Sequence, residues 1–247
     1  MPLLFAALFL VTATIYASVG FGGGSTYTAL LAVGEVGYRL IPLISLSCNI
    51  AVVAGSCLRY GRAGLLPIKR LLPALILSVP LAWLGGRIPL SEGHFTVLLA
   101  FALLVSALVL LVRSPQLGAD VAQYRWPLAL AGGSTGLVAG LVGIGGGIFL
   151  APLLYMMRWG SERQIAAASS LFILLNSIAG LLGQISKPDN AVTGAIDSLV
   201  LLVPAVLLGG WLGNRLGIQL LPAARIRQLT GVLILLVAVR LLFRVFS

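Results

Sequence analysis

Apolar residues run along this chain in long blocks that are separated by short polar links. About eight such stretches occur, at residues 4–33, 40–58, 64–86, 95–112, 127–157, 164–185, 195–213 and 227–246. Six of them are near the roughly 20 residues that a helix needs to cross a bilayer, so they predict membrane segments rather than buried core helices. We therefore expect an all-α integral membrane protein that crosses the membrane several times.

Composition and charge agree with this pattern. Of the 247 residues, 60% are hydrophobic and 9% are charged, against roughly 25% charged residues in a soluble domain. The net charge of +10 comes from 16 Lys and Arg that lie mostly between or at the ends of the apolar stretches. Basic residues in those places meet anionic lipid head groups and fix topology, so no nucleic-acid partner is expected.

The first eighteen residues, MPLLFAALFLVTATIYAS, have some features of a secretory signal because they are apolar and end in small residues. They lack the basic region that begins such signals. The residues that follow them recur in the second half of the chain. We therefore expect this segment to be retained as part of the structure.

Two separated motifs repeat along the chain. VGFGGG at Val19–Gly24 returns as VGIGGG at Val142–Gly147, 123 positions later. Pro80, Leu84, Gly85 and Gly86 return 124 positions later as Pro204, Leu208, Gly209 and Gly210. Two blocks that share one spacing indicate a duplication. The sequence predicts a first transmembrane repeat at 1–112, a polar linker at 113–126 and a second repeat at 127–247.

Basic residues are distributed differently in the two halves, which bears on their orientation. Four of them flank the link between the second and third stretches, whereas the corresponding link of the second half has only Lys187; there the charge falls on neighbouring links. The residues concerned are Arg59, Arg62, Lys69 and Arg70 in the first half, and Arg158, Arg163, Arg215, Arg225 and Arg227 in the second. Under the positive-inside tendency, this exchange favours oppositely oriented repeats.

Opposite orientation requires an odd number of crossings in each half. That condition is met if stretches 4–33 and 127–157, each about 30 residues long and interrupted by glycines, are re-entrant helical hairpins. Each half would then have three full crossings. Eight simple crossings in parallel repeats are the alternative that the sequence leaves open.

The glycine clusters that interrupt these two stretches are the strongest candidates for a functional site. Each glycine costs about 1 kcal/mol inside a helix relative to alanine, and irregular backbone at membrane depth is tolerated only against protein or a water-filled cavity. A helix broken there presents free N–H groups and the positive end of its dipole, which suits an anion. Close helix packing is the alternative, and to it we assign the pairs Gly85–Gly86 and Gly209–Gly210. The candidate binding glycines are Gly22, Gly23, Gly24, Gly145, Gly146 and Gly147.

Uncharged polar side chains cluster near these glycines. They can hydrogen-bond an oxyanion without the free-energy cost of burying a lone cation, although each taken alone is also a candidate for an interhelical hydrogen bond. The candidate lining residues are Ser25, Thr26, Ser47, Asn49, Ser169, Ser170 and Asn176.

No Asp, Glu, Lys, Arg or His lies well inside an expected span, so a buried proton-relay carboxylate is unsupported. Cys48 and Cys57 are nine residues apart on one apolar helix, where neither a disulfide nor a metal pair is expected. The chain contains no nucleotide-binding, hydrolase or metal-binding motif. We expect neither an enzyme nor a cofactor.

The two glycine motifs carry a resemblance to a known family. The stretch VGIGGGIFLAPLLYMMRWGSERQIAAASSLFILLNSIAGLLG, together with SVGFGGGSTYTALL in the first half, resembles the sulfite exporter TauE/SafE family of membrane permeases over nearly the whole chain. The first half departs from the pattern, with Ala29 where the second half has Pro152. The resemblance implies secondary transport of a small sulfur oxyanion or organosulfonate, such as sulfite or sulfoacetate, in the cytoplasmic membrane of a prokaryote.

The function expected from the sequence is thus a permease whose two halves rock about a site between the glycine clusters. A passive anion channel and a non-transporting membrane scaffold are the alternatives. The expected partners are a small anionic substrate, with or without a coupling ion, and the lipid bilayer. Whether the chain forms a homo-oligomer is left open.

Overall fold

The fold is entirely helical over the residues that the computed structural model describes, which are 2–111, 125–157, 159–187, 192–216, 232 and 234–243. The helices are α1 Pro2–Ser18, α2 Gly24–Val33, α3 Leu40–Arg62, α4 Ile68–Arg87, α5 Glu92–Leu111, α6 Arg125–Val142, α7 Gly147–Met156, α8 Glu162–Ile185, α9 Val192–Leu216 and α10 Ile234–Phe243. By length and composition, α3, α4, α8 and α9 are suited to crossing a membrane. The expectation of an all-α membrane protein is confirmed.

The first apolar stretch folds as a helical hairpin. α1 ends before the first glycine cluster, and α2 begins within it and runs back along α1. Phe5 packs against Gly34 at one end of the pair, and Phe9 stacks on Tyr27 with ring centroids 4.6 Å apart. Because positions early in α1 meet positions late in α2, the two helices are antiparallel.

The fifth apolar stretch repeats this arrangement. A methyl group added at Gly146, beside the start of α7, would lie 3.4 Å from Ala139 near the end of α6. Further along α7, Pro152 shares a groove with Ala131 in the first half of α6. Over the described residues, the eight stretches therefore yield ten helices, because each glycine cluster divides one stretch in two.

Helix directions show that the two halves are inverted. α3 and α8 are equivalent in the duplication, yet they run antiparallel, because Leu46 near the start of α3 packs on Gly180 near the end of α8 while Tyr60 packs with Ala166. α4 runs parallel to α8, and α9 runs parallel to α3, so the equivalent helices α4 and α9 also oppose one another. These directions match inverted repeats with a re-entrant hairpin in each half.

Each half packs the first helix of its hairpin against the other half. α6 lies along α4, where Gly136 and Gly140 approach the backbone carbonyls of Ser78 and Ala82. α1 lies along α9 in the equivalent way, with Gly209 and Gly213 against the carbonyls of Leu10 and Thr14. Small residues allow backbones to approach this closely, which is how helices gain packing energy in a bilayer. The assignment of Gly85 and Gly209 to packing agrees with these contacts.

Several sequence predictions fall outside the described residues. The linker predicted at 113–126 lies there except for its last two residues, because α6 already begins at Arg125. Arg158, Arg225 and Arg227, which entered the charge comparison, also lie outside the described residues, as does part of stretch 227–246. The boundaries of the two repeats remain predictions.

The inverted arrangement can be tested by labelling engineered cysteines at Ala63 and Ser186, which are both exposed and follow the equivalent helices α3 and α8. With Cys48 and Cys57 replaced by Ala, we expect a membrane-impermeant maleimide to label Ala63→Cys and Ser186→Cys from opposite sides of the membrane. Permeabilised membranes provide the control for reactivity. Labelling of both positions from one side would contradict the inversion.

Candidate functional site

The two glycine clusters meet each other near the middle of the fold. Gly24, the first residue of α2, lies against the carbonyl oxygen of Ile144 in the second cluster. A side chain at Gly24 would collide with that oxygen. Gly23 has φ 86°, and Gly145 has φ 83°, a conformation that glycine adopts without the steric penalty of other residues. The glycines thus provide both the sharp change of direction and the close approach of the two breaks.

Asn49 of α3 lies between the two breaks. Its side chain is fully buried and contacts Gly22 and Gly24 of the first cluster. Its Nδ2 donates a hydrogen bond of 3.2 Å to the carbonyl oxygen of Ile144 in the second cluster. Asn49 therefore joins the two halves through a backbone group that the second break leaves without a helical partner.

Ser177 of α8 faces the same point from the other half. A methyl group added at Gly145 would lie 2.6 Å from Asn49 Nδ2 and 2.9 Å from Ser177 Oγ. Asn49 and Val53 face the first break as Ile173 and Ser177 face the second, and each pair is four residues apart on its helix. Each half therefore places one polar and one apolar side chain against its own break. The polar residue comes first along α3 and second along α8.

Three buried polar atoms beside the breaks have no hydrogen-bond partner. They are Asn49 Oδ1, Ser177 Oγ and Tyr27 OH, and the Tyr27 hydroxyl lies 3.3 Å from the position of a methyl group on Gly23. Buried polar groups are satisfied in the great majority of cases, and exceptions are a recognised feature of functional sites. Unsatisfied hydrogen-bonding capacity is thus concentrated where the breaks meet.

The electrostatic character of this site comes from the backbone. α2 and α7 both begin beside it and lead away in opposite directions, so the positive ends of both dipoles face the same region. The cap of α2 has no side-chain hydrogen bond, which leaves its first N–H groups to other acceptors. Among the described residues, none of the charged side chains is buried, and no group of three metal-ligating side chains occurs. Among the described residues, the polar groups beside the two breaks are therefore uncharged.

The other predicted residues of the clusters lie in the same region. Ser25 and Thr26 are buried in the first turn of α2, and Thr26 Oγ1 lies 2.9 Å from the hydroxyl of Tyr16 in α1. Gly146 packs against Phe172, and Gly147 against Ile173. These contacts fix the hairpins on α3 and α8, and they place the six predicted glycines around one site.

Four predicted lining residues take other positions. Ser170 donates to the carbonyls of Ala166 and Gly20, at the outer edge of the first break. Asn176 turns toward α4, where its Nδ2 donates to Ser78 Oγ over 3.1 Å. Ser169 is fully buried, and its hydroxyl lacks a hydrogen-bond partner. Ser47 is half-buried and points away from Asn49, because residues two positions apart do not share a helix face.

Two residues of the site were missed by sequence reasoning. Ser177 was not among the predicted residues, whereas its neighbour Asn176 was; yet Asn49 plus the repeat offset of 123 or 124 gives position 172 or 173, and Ser177 follows about one helical turn later. Ser45, one turn before Asn49, donates to the carbonyl oxygen of Gly24 over 3.2 Å. Helical spacing from Asn49 was the signal that could have identified both.

Comparison with known proteins identifies the family of this chain. The family model described as "Sulfite exporter TauE/SafE" matches residues 4–241. A probable membrane transporter protein, y4hK, from Sinorhizobium fredii is 30% identical over 96% of this chain and 97% of its own length. The probable membrane transporter protein MamO of Magnetospirillum gryphiswaldense is 26% identical over 85% of this chain, which spans 39% of that protein.

A probable membrane transporter protein of Haemophilus influenzae is 33% identical over a shorter region, 31% of this chain and 30% of its own length. No solved structure matches the chain. Because the family model covers nearly the whole chain and one relative aligns along almost its full length, the protein is a membrane transporter that belongs to the sulfite exporter TauE/SafE family.

Proposed function

We propose that this protein is a secondary transporter of a small sulfur oxyanion or organosulfonate, such as sulfite or sulfoacetate, in the cytoplasmic membrane of a prokaryote. The observation that carries the proposal is the convergence of two helix N-termini on Asn49 and Ser177. The family description supplies the sulfur, and the site supplies the preference for an anion.

The donor set suits a group with several negatively charged oxygens. Backbone N–H groups at the starts of α2 and α7 would share the oxygens with Ser177 Oγ, and with Asn49 Nδ2 once it leaves the Ile144 carbonyl. Hydrogen bonds from neutral donors to an anion are stronger than those between neutral groups. A site without a fixed positive charge binds the anion and still releases it, as transport requires.

The site must open before it can hold a substrate. Gly24 and the Ile144 carbonyl are in direct contact, and Asn49 donates to that carbonyl. Separation of the two breaks would free the amide and the N–H groups together. In inverted repeats, this separation can open toward either face by the same relative movement of the halves, which favours alternating access over a permanently open channel.

The described residues place limits on energy coupling. None of the charged side chains among the described residues is buried, so none of their carboxylates lies beside the glycine breaks as a proton relay would require. Coupling through an ion that travels with the anion, or exchange of one anion for another, fits the site better. The anion, a coupling ion and the surrounding lipid are therefore the partners that we propose.

Counterflow in proteoliposomes tests the proposal directly. Vesicles loaded with unlabelled sulfite should take up external radiolabelled sulfite faster than empty vesicles, because a transporter exchanges substrate across the membrane. Sulfoacetate and thiosulfate should compete, whereas chloride and acetate should not. Uptake that is indifferent to internal sulfite would indicate a channel, and protein-independent uptake would support the scaffold alternative.

Gly24→Ala should impair transport because its Cβ would collide with Asn49 and the Ile144 carbonyl. Overpacking of this kind costs about 1–3 kcal/mol, equivalent to a roughly 5- to 150-fold loss in an equilibrium constant. Gly37→Ala is the matched control, since a Cβ there has no heavy atom within 4 Å. Initial rates of sulfite uptake should fall only in the first variant; equal rates would place the substrate elsewhere.

Ser177→Ala should raise the sulfite concentration that gives half-maximal uptake. A hydrogen bond to a charged group contributes about 1.5–3 kcal/mol, or roughly 10- to 150-fold in affinity. Ser106→Ala is the control, because Ser106 is also fully buried but donates to the carbonyl of Ala102 within α5. An unchanged half-saturation in Ser177→Ala, with both variants folded, would remove Ser177 from the site.

A further inference from the structure

A cavity with both polar and apolar lining lies at the end of the fold where α3 begins and α8 ends. Its volume is about 120 Å³, several times the roughly 30 Å³ that one water occupies in the liquid. Two basic residues, Arg39 and Lys187, line it together with Tyr38, Pro42, Leu141 and Gln184. No acidic side chain is among its described lining residues.

The two cations of this cavity are held in place by neighbouring side chains. Lys187 Nζ donates to Gln184 Oε1 over 2.8 Å. Arg39 Nε donates to the Tyr38 hydroxyl over 3.0 Å, and the guanidinium lies 5.5 Å from the centroid of the Tyr38 ring. Burial, followed by the positive charge of Arg39, lowers the pKa of Lys187. Arg39 is exposed and Lys187 is half-buried, and the repulsion between these two like charges is reduced when an anion enters the cavity.

The cavity connects directly to the second glycine break. Gln184 Nε2 donates to the carbonyl oxygen of Gly140 over 2.7 Å, in the last turn of α6. Pro42, which lines the cavity, packs on Gly143, the first glycine of that break. Pro42 therefore places the lining of the cavity in contact with the second break, and Gln184 places it in contact with the helix that precedes the break.

In the other half, the side chain of Tyr60 occupies the position that is equivalent to Gln184 at this cavity. Tyr60 stands 124 positions before Gln184, and its hydroxyl would lie 2.8 Å from a methyl group on Gly20. Tyr60 is buried in a cluster with Ala166 and Ala167, and Ser170 donates to the Gly20 carbonyl. Among the described residues, Tyr60 thus packs onto the first glycine break, whereas its equivalent Gln184 lines a basic cavity.

We propose that the cavity of Arg39 and Lys187 is a vestibule that binds a small oxyanion on its way to or from the second glycine break. Passage of the anion between the vestibule and the glycine break rests on the proposed transport function, whereas binding in the vestibule does not. A phosphate group of an anionic lipid shares the same chemistry. The small volume and the contact of the lining residue Pro42 with Gly143 of the break favour a free anion.

Charge-selective labelling of a cysteine in the cavity tests the vestibule without any measurement of transport. Leu90 also lines the cavity, so Leu90→Cys is introduced with Cys48 and Cys57 replaced by Ala. The measured quantity is the ratio of labelling rates for a sulfonated and a trimethylammonium methanethiosulfonate reagent. We expect Arg39→Gln combined with Lys187→Gln to lower this ratio roughly tenfold, because two nearby positive charges are lost.

Two controls separate charge from structure. Arg62→Gln removes an exposed cation at the opposite end of α3 and should leave the ratio unchanged. Arg39→Lys combined with Lys187→Arg keeps both charges and should preserve the ratio. An unchanged ratio in the double Gln variant, or a loss in the charge-preserving one, would overturn the proposal.

Protection experiments distinguish the two sources of the oxyanion. Sulfate is the probe, because sulfite cleaves the mixed disulfides that these reagents form. Sulfate should slow labelling of Leu90→Cys by the sulfonated reagent in nanodiscs of phosphatidylcholine. Protection by added phosphatidylglycerol alone would assign the cavity to lipid and overturn the proposal. Selective labelling and sulfate protection without sulfite counterflow would leave the vestibule standing and refute only the proposed transport.

Discussion

The need to satisfy backbone groups at membrane depth governs this structure. Hydrocarbon offers no hydrogen-bond partners, so a break in a helix must be covered by the protein itself. Here each break covers the other: Gly24 lies against the Ile144 carbonyl, and Asn49 donates to the same oxygen. The groups that stabilise the closed contact are also the groups that would bind an anion once the contact opens, so stability and binding compete for the same donors.

The first helix of each hairpin packs against the opposite half, and this arrangement explains how the halves can move relative to each other while the fold stays stable. α6 packs along α4, and α1 packs along α9, with glycines such as Gly140 and Gly213 facing backbone carbonyls. These long contacts bind the first helix of each hairpin to the opposite half. α2 and α7 instead pack against α3 and α8 of their own halves. The two sides of each glycine break are therefore attached to different halves, so any relative movement of the halves acts directly on the site.

The helical architecture could be predicted from the sequence, because the composition and the lengths of the apolar stretches are local properties of the chain. It also located both breaks, since consecutive glycines such as Gly22–Gly24 have few other uses in an apolar helix. It was less successful with individual side chains. Asn176 bonds to Ser78 of α4, whereas its neighbour Ser177 faces Gly145. A difference of one residue rotates a side chain about 100° around a helix, and only the packing of α4, α6 and α8 decides which face meets the break.

The halves are symmetric in backbone but not in chemistry, and this difference has a mechanistic consequence. Tyr60 packs onto the first break, whereas the equivalent residue Gln184 bonds to the end of α6 and lines a basic cavity beside the second break. Fully identical inverted repeats would give two access states, one open to each face, that are related by a two-fold rotation and have equal free energy. Because Tyr60 buries an aromatic ring where Gln184 buries an amide, the proposed alternating-access cycle would lack this equality: the two access states would expose different chemistry beside the same pair of breaks.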